Sequence, residues 1–272
     1  MHLRASRRAI MSRCCGGEWG RIMRELRKLL SFAVIAVAMT LGTNSASAAL
    51  MDNIYDLEAA GPIGLASVIG QDLTLQVGDK LFYHDEWFSN AQALGGVLLP
   101  TPGAITVEAS TSVEGYHGLM FSIVGFQANN GQAANFHLEF DVWVHPDYPQ
   151  NFISDVHMDL IGGGAAGTGN ASITEAVSDD LDNNVLVDEL LNEKASLFVV
   201  ANNFGFDRRQ DWGYVLPLQK HISIFKDIGV TGGTDGSAHI SAFTQHFSQI
   251  PEPASLALMT IGGAFMLRRR KA

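Results

Sequence analysis

Both cysteines of this 272-residue chain, Cys14 and Cys15, fall within its first 48 residues, so the body that follows holds none. That absence excludes disulfides, thiolate nucleophiles and cysteine-ligated zinc from the body. Cations are nearly as scarce. Between Ala49 and Ile250 the basic residues are Lys80, Lys194, Arg208, Arg209, Lys220 and Lys226, against 25 Asp and Glu, a net charge of −19. The whole-chain value of −10 hides this, because the two ends hold most of the cations. So acidic a body repels nucleic acid and anionic lipid, and attracts divalent cations or cationic polymer. Nucleic-acid binding is thereby excluded. Long apolar runs are missing too. The run from Ala254 to Leu267 spans about 21 Å as a helix, against a hydrocarbon core of about 30 Å, and Thr260, Gly262 and Gly263 dilute it.

Catalytic signatures are also lacking. G-x-S-x-G and H-E-x-x-H do not occur, and Ser241 near His239 has no orienting acid beside it in sequence. "GGGAAG" (Gly162 to Gly167) fits G-x-G-x-x-G, with Asp182 twenty residues beyond Gly162. A dinucleotide site needs a helix opening at those glycines, whereas "TGNASITEAV" follows. We read the stretch as a glycine-rich loop at a sheet edge. The acidic run Ser178 to Glu193 puts Asp180, Asp182 and Asn184 in EF-hand register, but Val185 replaces the glycine and Leu191 the bidentate glutamate. An irregular calcium loop is what remains of that motif. The many acids give no readable spacing for a glycosidase pair. The chain reads as a non-enzyme without a resident cofactor, calcium being the ion its acidic loop suggests and calcium or a transition metal the ion its His, Asp and Glu side chains would suit.

What is present begins at the ends. Arg24, Arg27 and Lys28, the apolar stretch Leu29 to Leu41, and Ala46-Ser47-Ala48 form a secretory signal over 23–48, with signal peptidase cutting between Ala48 and Ala49. Residues 1–22 precede a normal start, which places the initiator at Met23. "SRRAIM" (Ser6 to Met11) offers a twin-arginine alternative, but about twenty residues part Arg8 from the apolar stretch. At the other end, Pro251, Glu252 and Pro253 precede the apolar segment 254–267 and the basic cluster Arg268, Arg269, Arg270 and Lys271, which stays cytoplasmic by the positive-inside rule. The prolines keep the chain extended, and the region near them reads as the one linker, detaching residues 250–272 from the body.

An exported chain with that ending resembles the PEP-CTERM protein family. "VGDKLF" (Val77 to Phe82), "KDIGV" (Lys226 to Val230) and "AHISAFTQHFSQIPEP" (Ala238 to Pro253) also resemble exported proteins of this group. The resemblance implies Sec export in a Gram-negative bacterium and a brief stay in the inner membrane on a short C-terminal helix. Processing by exosortase would then deliver the chain to the cell surface or the extracellular polysaccharide matrix. It implies no activity for the body.

That body, 49–249, is long enough for one domain with a full core. Its periodicity is mostly two. "NFHLEFDVWV" (Asn135 to Val144) alternates Phe136, Leu138, Phe140, Val142 and Val144 with His137, Glu139, Asp141 and Trp143, and Ile153 to Ile161 behaves likewise. Further strands are expected over 73–77, 81–88, 104–109, 119–126, 195–201, 222–230 and 239–247, with one short helix over 187–195. Turn clusters between them predict an all-β fold, a single antiparallel β-sandwich.

Two surface sites are expected. A hairpin turning near Tyr148 would set Asp141 opposite Asp155, Glu139 opposite His157 and His137 opposite Asp159, a cation site if the facing aspartates need neutralising, and otherwise a solvated outer face. Trp143 on the polar side of its strand, and Trp212 and Tyr214 in "DWGY", are candidates for stacking on sugar rings, or for packing beneath loops. Three roles compete: a structural or adhesive component of the extracellular polysaccharide matrix, a carbohydrate-binding module, and a polysaccharide-modifying enzyme.

Overall fold

Alternation builds the architecture. Along β9 (Ala133–Val144) Phe136, Leu138, Phe140 and Val142 are fully buried while His137, Glu139, Asp141 and Trp143 lie on the other face. The computed structural model describes residues 53–179, 193–203 and 207–251. The signal at 23–48 with Ala46, Ala48 and Ala49, residues 1–22, most of the acidic run, and 252–272 with Glu252, Pro253 and the basic cluster lie outside the described residues.

The described chain forms two sheets. The eight-stranded sheet runs in the order β1 (Ile54–Asp56), β3 (Thr74–Val77), β4 (Lys80–Tyr83), β9, β14 (His221–Thr231), β11 (Asn170–Ser178) and β12 (Glu193–Asn202), with β5 (Phe88–Leu94) also on β9. The seven-stranded sheet runs β13 (Gln210–Gln219), β10 (Asn151–Ala166), β15 (Ser237–Pro251), β7 (His117–Ile123), β6 (Ile105–Thr111) and β2 (Ile63–Gly64), with β8 (Gln127–Asn129) on β15. Apart from the parallel β1–β3 pair, neighbours are antiparallel. This is an all-β sandwich. Two short helices, α1 (Leu57–Ala60) and α2 (Leu65–Gln71), bury Leu57, Leu65 and Val68; the Asp56 carboxylate caps α1 by accepting from the Glu58 and Ala59 amides. None of the described helices is long and apolar enough to cross a membrane.

Aromatic rings fill the space between the layers. Phe121 stacks on Phe243 at 4.9 Å, Phe82 meets Phe247 at 5.7 Å across the sheets, and Trp87 lies on Phe140 at 5.4 Å. Offset and tilted pairs of this kind add about 0.5–1.5 kcal/mol beyond the area they bury. At one end of the sandwich a buried polar knot ties three strands. Lys80 Nζ donates to Asp79 at 2.7 Å and to Gln249 at 2.9 Å, and Asn151 donates to the same two side chains. Burial pushes the Lys80 amine down, and the Asp79 carboxylate opposes the drop.

Four expectations need correction. The strands β9 and β10 form no hairpin: they belong to opposite sheets, and residues 145–150 cross between the layers. Each strand buries its apolar face against the other sheet, so they meet through the core rather than edge to edge. "GGGAAG" is no loop, because Gly162–Ala166 continue β10 and pair with β15 through two bulges. Gly162 suits that place, since a Cβ would sit 2.8 Å from the Ala242 backbone nitrogen. The expected helix fails at its described end, where Glu193–Ala195 open β12. Nor is there a linker before the tripeptide, for β15 runs to Pro251, paired with Asn151.

Candidate functional site

The outer face of the seven-stranded sheet gathers side chains from four strands and one turn. The edge strand β13 turns Asp211 and Val215 inward, leaving Trp212 53% and Tyr214 60% exposed. The register sets Trp212 opposite His157 and Tyr214 opposite Asp155. On the far side of β10, His157 pairs with His246 of β15, which pairs with Gly118 of β7, itself opposite Ser110 of β6. Gly118 allows this crowding: a Cβ there would lie 1.8 Å from the Gln245 carbonyl oxygen.

The rings form a row. His157 lies 5.3 Å from Tyr116 and 6.5 Å from Trp212, nearly parallel to the latter, and Trp212 meets the Tyr214 ring edge-on at 4.7 Å. Asp155 Oδ1, 2.7 Å from His157 Nε2, fixes the central ring. The Ser112–Tyr116 turn closes through Tyr116 N to Ser112 Oγ, at 3.2 Å, and brings Tyr116 and Glu114 to the rim. The Glu114 carboxyl is held below its usual range by hydrogen bonds from its own amide and from Ser112, with His157 and His246 adding to the drop. The face therefore carries flat apolar rings beside ionised and neutral acceptors, which is the chemistry that stacks on a sugar ring and takes up its hydroxyls.

Ser110 Oγ sits 2.8 Å from His246 Nε2, and Asp159 Oδ2 sits 4.0 Å from His246 Nδ1. The order is that of nucleophile, base and orienting acid. The last gap exceeds a hydrogen bond, however, and Ser110 lies mid-strand rather than on a sharp turn. Burial pushes the His246 ring below 6.5, Asp159 opposes that drop, His157 adds to it, and Glu114 opposes it. A depressed histidine stays neutral in the fold while the unfolded chain takes up a proton. Its contribution to stability is thus complete above pH 6.5 and is lost as pH falls toward the folded value. We expect the melting temperature to fall on acidification below that pH, and His246→Gln to flatten this part of the curve. Identical wild-type and variant slopes in a pH series of melts would refute it.

The other expected residues are dispersed. His137, Glu139 and Asp141 lie on the outer face of the opposite sheet, so they do not meet Asp155, His157 and Asp159. There they have partners of their own: His137 is 3.7 Å from Asp227, Glu139 accepts from Ser89, and Asp141 accepts from Ser223. No group of three His, Asp or Glu among the described residues is arranged to hold a metal. Trp143 also faces that side, but it packs on His221 at 4.0 Å, and its indole N–H is buried without a hydrogen-bond partner among the described residues. It supports a neighbour rather than offering an open ring. That face does hold a groove of about 480 Å³ lined by Gln92, Leu94, Asn135, Asn170, Ser172 and Thr231, with no aromatic wall. Not legible in the sequence are Ser110, Glu114 and Tyr116, from the end of β6 and the turn after it, and His246 from β15; none carries a local motif.

Two packed sheets with an open aromatic and polar face define an all-β sandwich protein. The chain further carries a PEP-CTERM protein-sorting motif, which matches residues 249–271. Among curated proteins none matches it. Similar solved structures include TmCBM61 in complex with beta-1,4-galactotriose, at 13% identity over 59% of this chain and 90% of that one, TM-score 0.28. Another is the family 11 carbohydrate-binding module from Clostridium thermocellum in complex with a beta-1,3-1,4-mixed-linked tetrasaccharide, at 7% identity over 58% and 87%, TM-score 0.21. A third is endoglucanase 3 from family GH12 of Trichoderma harzianum, at 10% identity over 59% and 97%, TM-score 0.24.

Proposed function

We propose that this is an exported protein, processed by exosortase at its C-terminal signal, that serves as a non-catalytic adhesive component of the extracellular polysaccharide matrix. It holds polysaccharide on the outer face of the seven-stranded sheet. The observation that carries this reading is the exposed pair Trp212 and Tyr214 beside the row of His157, Asp155 and Glu114. Exposing two large rings on an edge strand has no benefit for folding, and their polar neighbours match the alternating apolar faces and hydroxyl rims of a glycan. The net charge of −19 on the body favours a neutral or cationic polymer over an acidic one. Native gel electrophoresis with embedded polysaccharide tests this. Neutral or amino-sugar polymers should retard the wild-type protein and acidic ones should not; equal mobility in every gel would remove the reading.

A further inference from the structure

The middle of the sandwich holds a polar cluster apart from that face. Glu175 on β11 and Lys226 on β14 are directly paired across their strands and both point inward, while Gln245 enters from β15 in the opposite sheet. All three are 0% exposed. The Lys226 amine contacts both the Glu175 carboxyl and the Gln245 amide oxygen. Gln245 Nε2 in turn donates to the other Glu175 oxygen at 3.2 Å. Met158 Sδ, 3.6 Å from Nζ, and the Phe243 ring, with its centroid 5.7 Å away, complete an apolar enclosure. An amine, a carboxamide and a carboxyl group touching both are thus shut away from water together.

As an ion pair, this arrangement would carry the desolvation cost of two charges. Burial pushes the Lys226 amine down and the Glu175 carboxyl up. Both directions lower the cost of moving one proton from nitrogen to oxygen, while the attraction between the two groups opposes the move.

We propose that Lys226 and Gln245 are joined by an isopeptide bond that the folded chain forms by itself, with Glu175 carrying the protons. The Nζ lone pair attacks Cδ of Gln245, forming the N–C bond, and Nζ gives up a proton by way of Glu175. The Cδ–Nε2 bond then breaks, and Nε2 takes that proton and leaves as ammonia. An amine and a carboxamide become a secondary amide and ammonia, Glu175 is restored, and nothing is oxidised or reduced. Contact already supplies the proximity such a reaction needs, and the dry enclosure keeps water from intercepting the intermediate. The product ties β14 to β15, one sheet to the other, in a body with no cysteine to form an inter-sheet disulfide.

Trypsin does not cut after an acylated lysine, so digestion of the denatured wild-type protein decides the matter. Peptide 221–226 should be absent, and the fragment running from His221 past Gln245 should weigh one ammonia less than its sequence. The Glu175→Gln and Gln245→Met variants should release peptide 221–226 in full. Its full release from the wild type would overturn the proposal. A fragment beginning at His221 cross-linked with loss of water to fragment 81–194 would put the bond on Glu175 and refute Gln245 as acyl donor, and an ammonia-depleted linked fragment in Glu175→Gln would refute the proton carrier. The wild-type digest is informative even if a variant fails to fold.

Discussion

We expect a chain with Glu252→Ala to remain at full length in the membrane fraction, and the wild-type chain to be recovered from the extracellular matrix with its end near Pro251. Glu252 is the only acidic side chain between Asp235 and Ala272. The flanking prolines fix their own φ angles and favour extended backbone, so its side chain would be offered to a processing enzyme at little entropic cost. Removing it takes away the only acidic group of the motif, and the effect should be close to all-or-none. Intact-mass measurement on both fractions reads the outcome directly. Equal release of variant and wild type would mean that the tripeptide is not recognised through this residue.

The second large effect belongs to the exposed rings. Loss of a stacking ring costs about 1–1.5 kcal/mol, or roughly tenfold in affinity. Trp212→Ala and Tyr214→Ala should each weaken polysaccharide binding about tenfold. The double variant should approach a hundredfold loss, falling short of it because the two rings touch and their contributions are not independent. Both side chains are exposed, so thermal stability should hardly move. Affinity electrophoresis beside a melting curve separates the two effects. Wild-type affinity in the double variant would sink the proposed face.

The parts of this fold that could be read in the sequence are the strands whose inward positions are all apolar. In β9 every inward position is filled by Ala, Phe, Leu or Val, and the strand is found where alternation places it. The strand β11 is hidden because Glu175 occupies an inward position between Ile173 and Val177. Lys226 and Gln245 break the pattern of β14 and β15 in the same way, though longer apolar flanks leave those strands visible. In β13 the signal is reversed: Trp212, Tyr214 and Leu216 face solvent while Asp211 is buried. The site was half legible for a related reason. Alternation correctly puts Asp155, His157 and Asp159 on an outer face, and "DWGY" marks the open rings. Whether β9 and β10 share a sheet or face each other across a core is not written in either strand, since both arrangements bury the same residues.

The continuity of β15 with the sorting signal also fixes how freely the domain can turn. Beyond Pro251 only Glu252 and Pro253 precede the apolar segment, at most about 10 Å of chain from Pro251 to Ala254. Gln249, two residues before that exit, is knotted to Lys80 and Asn151, so the strand end gives no slack. While the segment is held in a bilayer, the domain would be pressed against it at that end. Asp155 lies four residues along β10 from Asn151, about 13 Å from the same end, so a thick polymer would have little clearance there. Cutting the signal would therefore do more than change the address of the protein: it would lift a steric shield and open the ring-bearing face to approach from any direction.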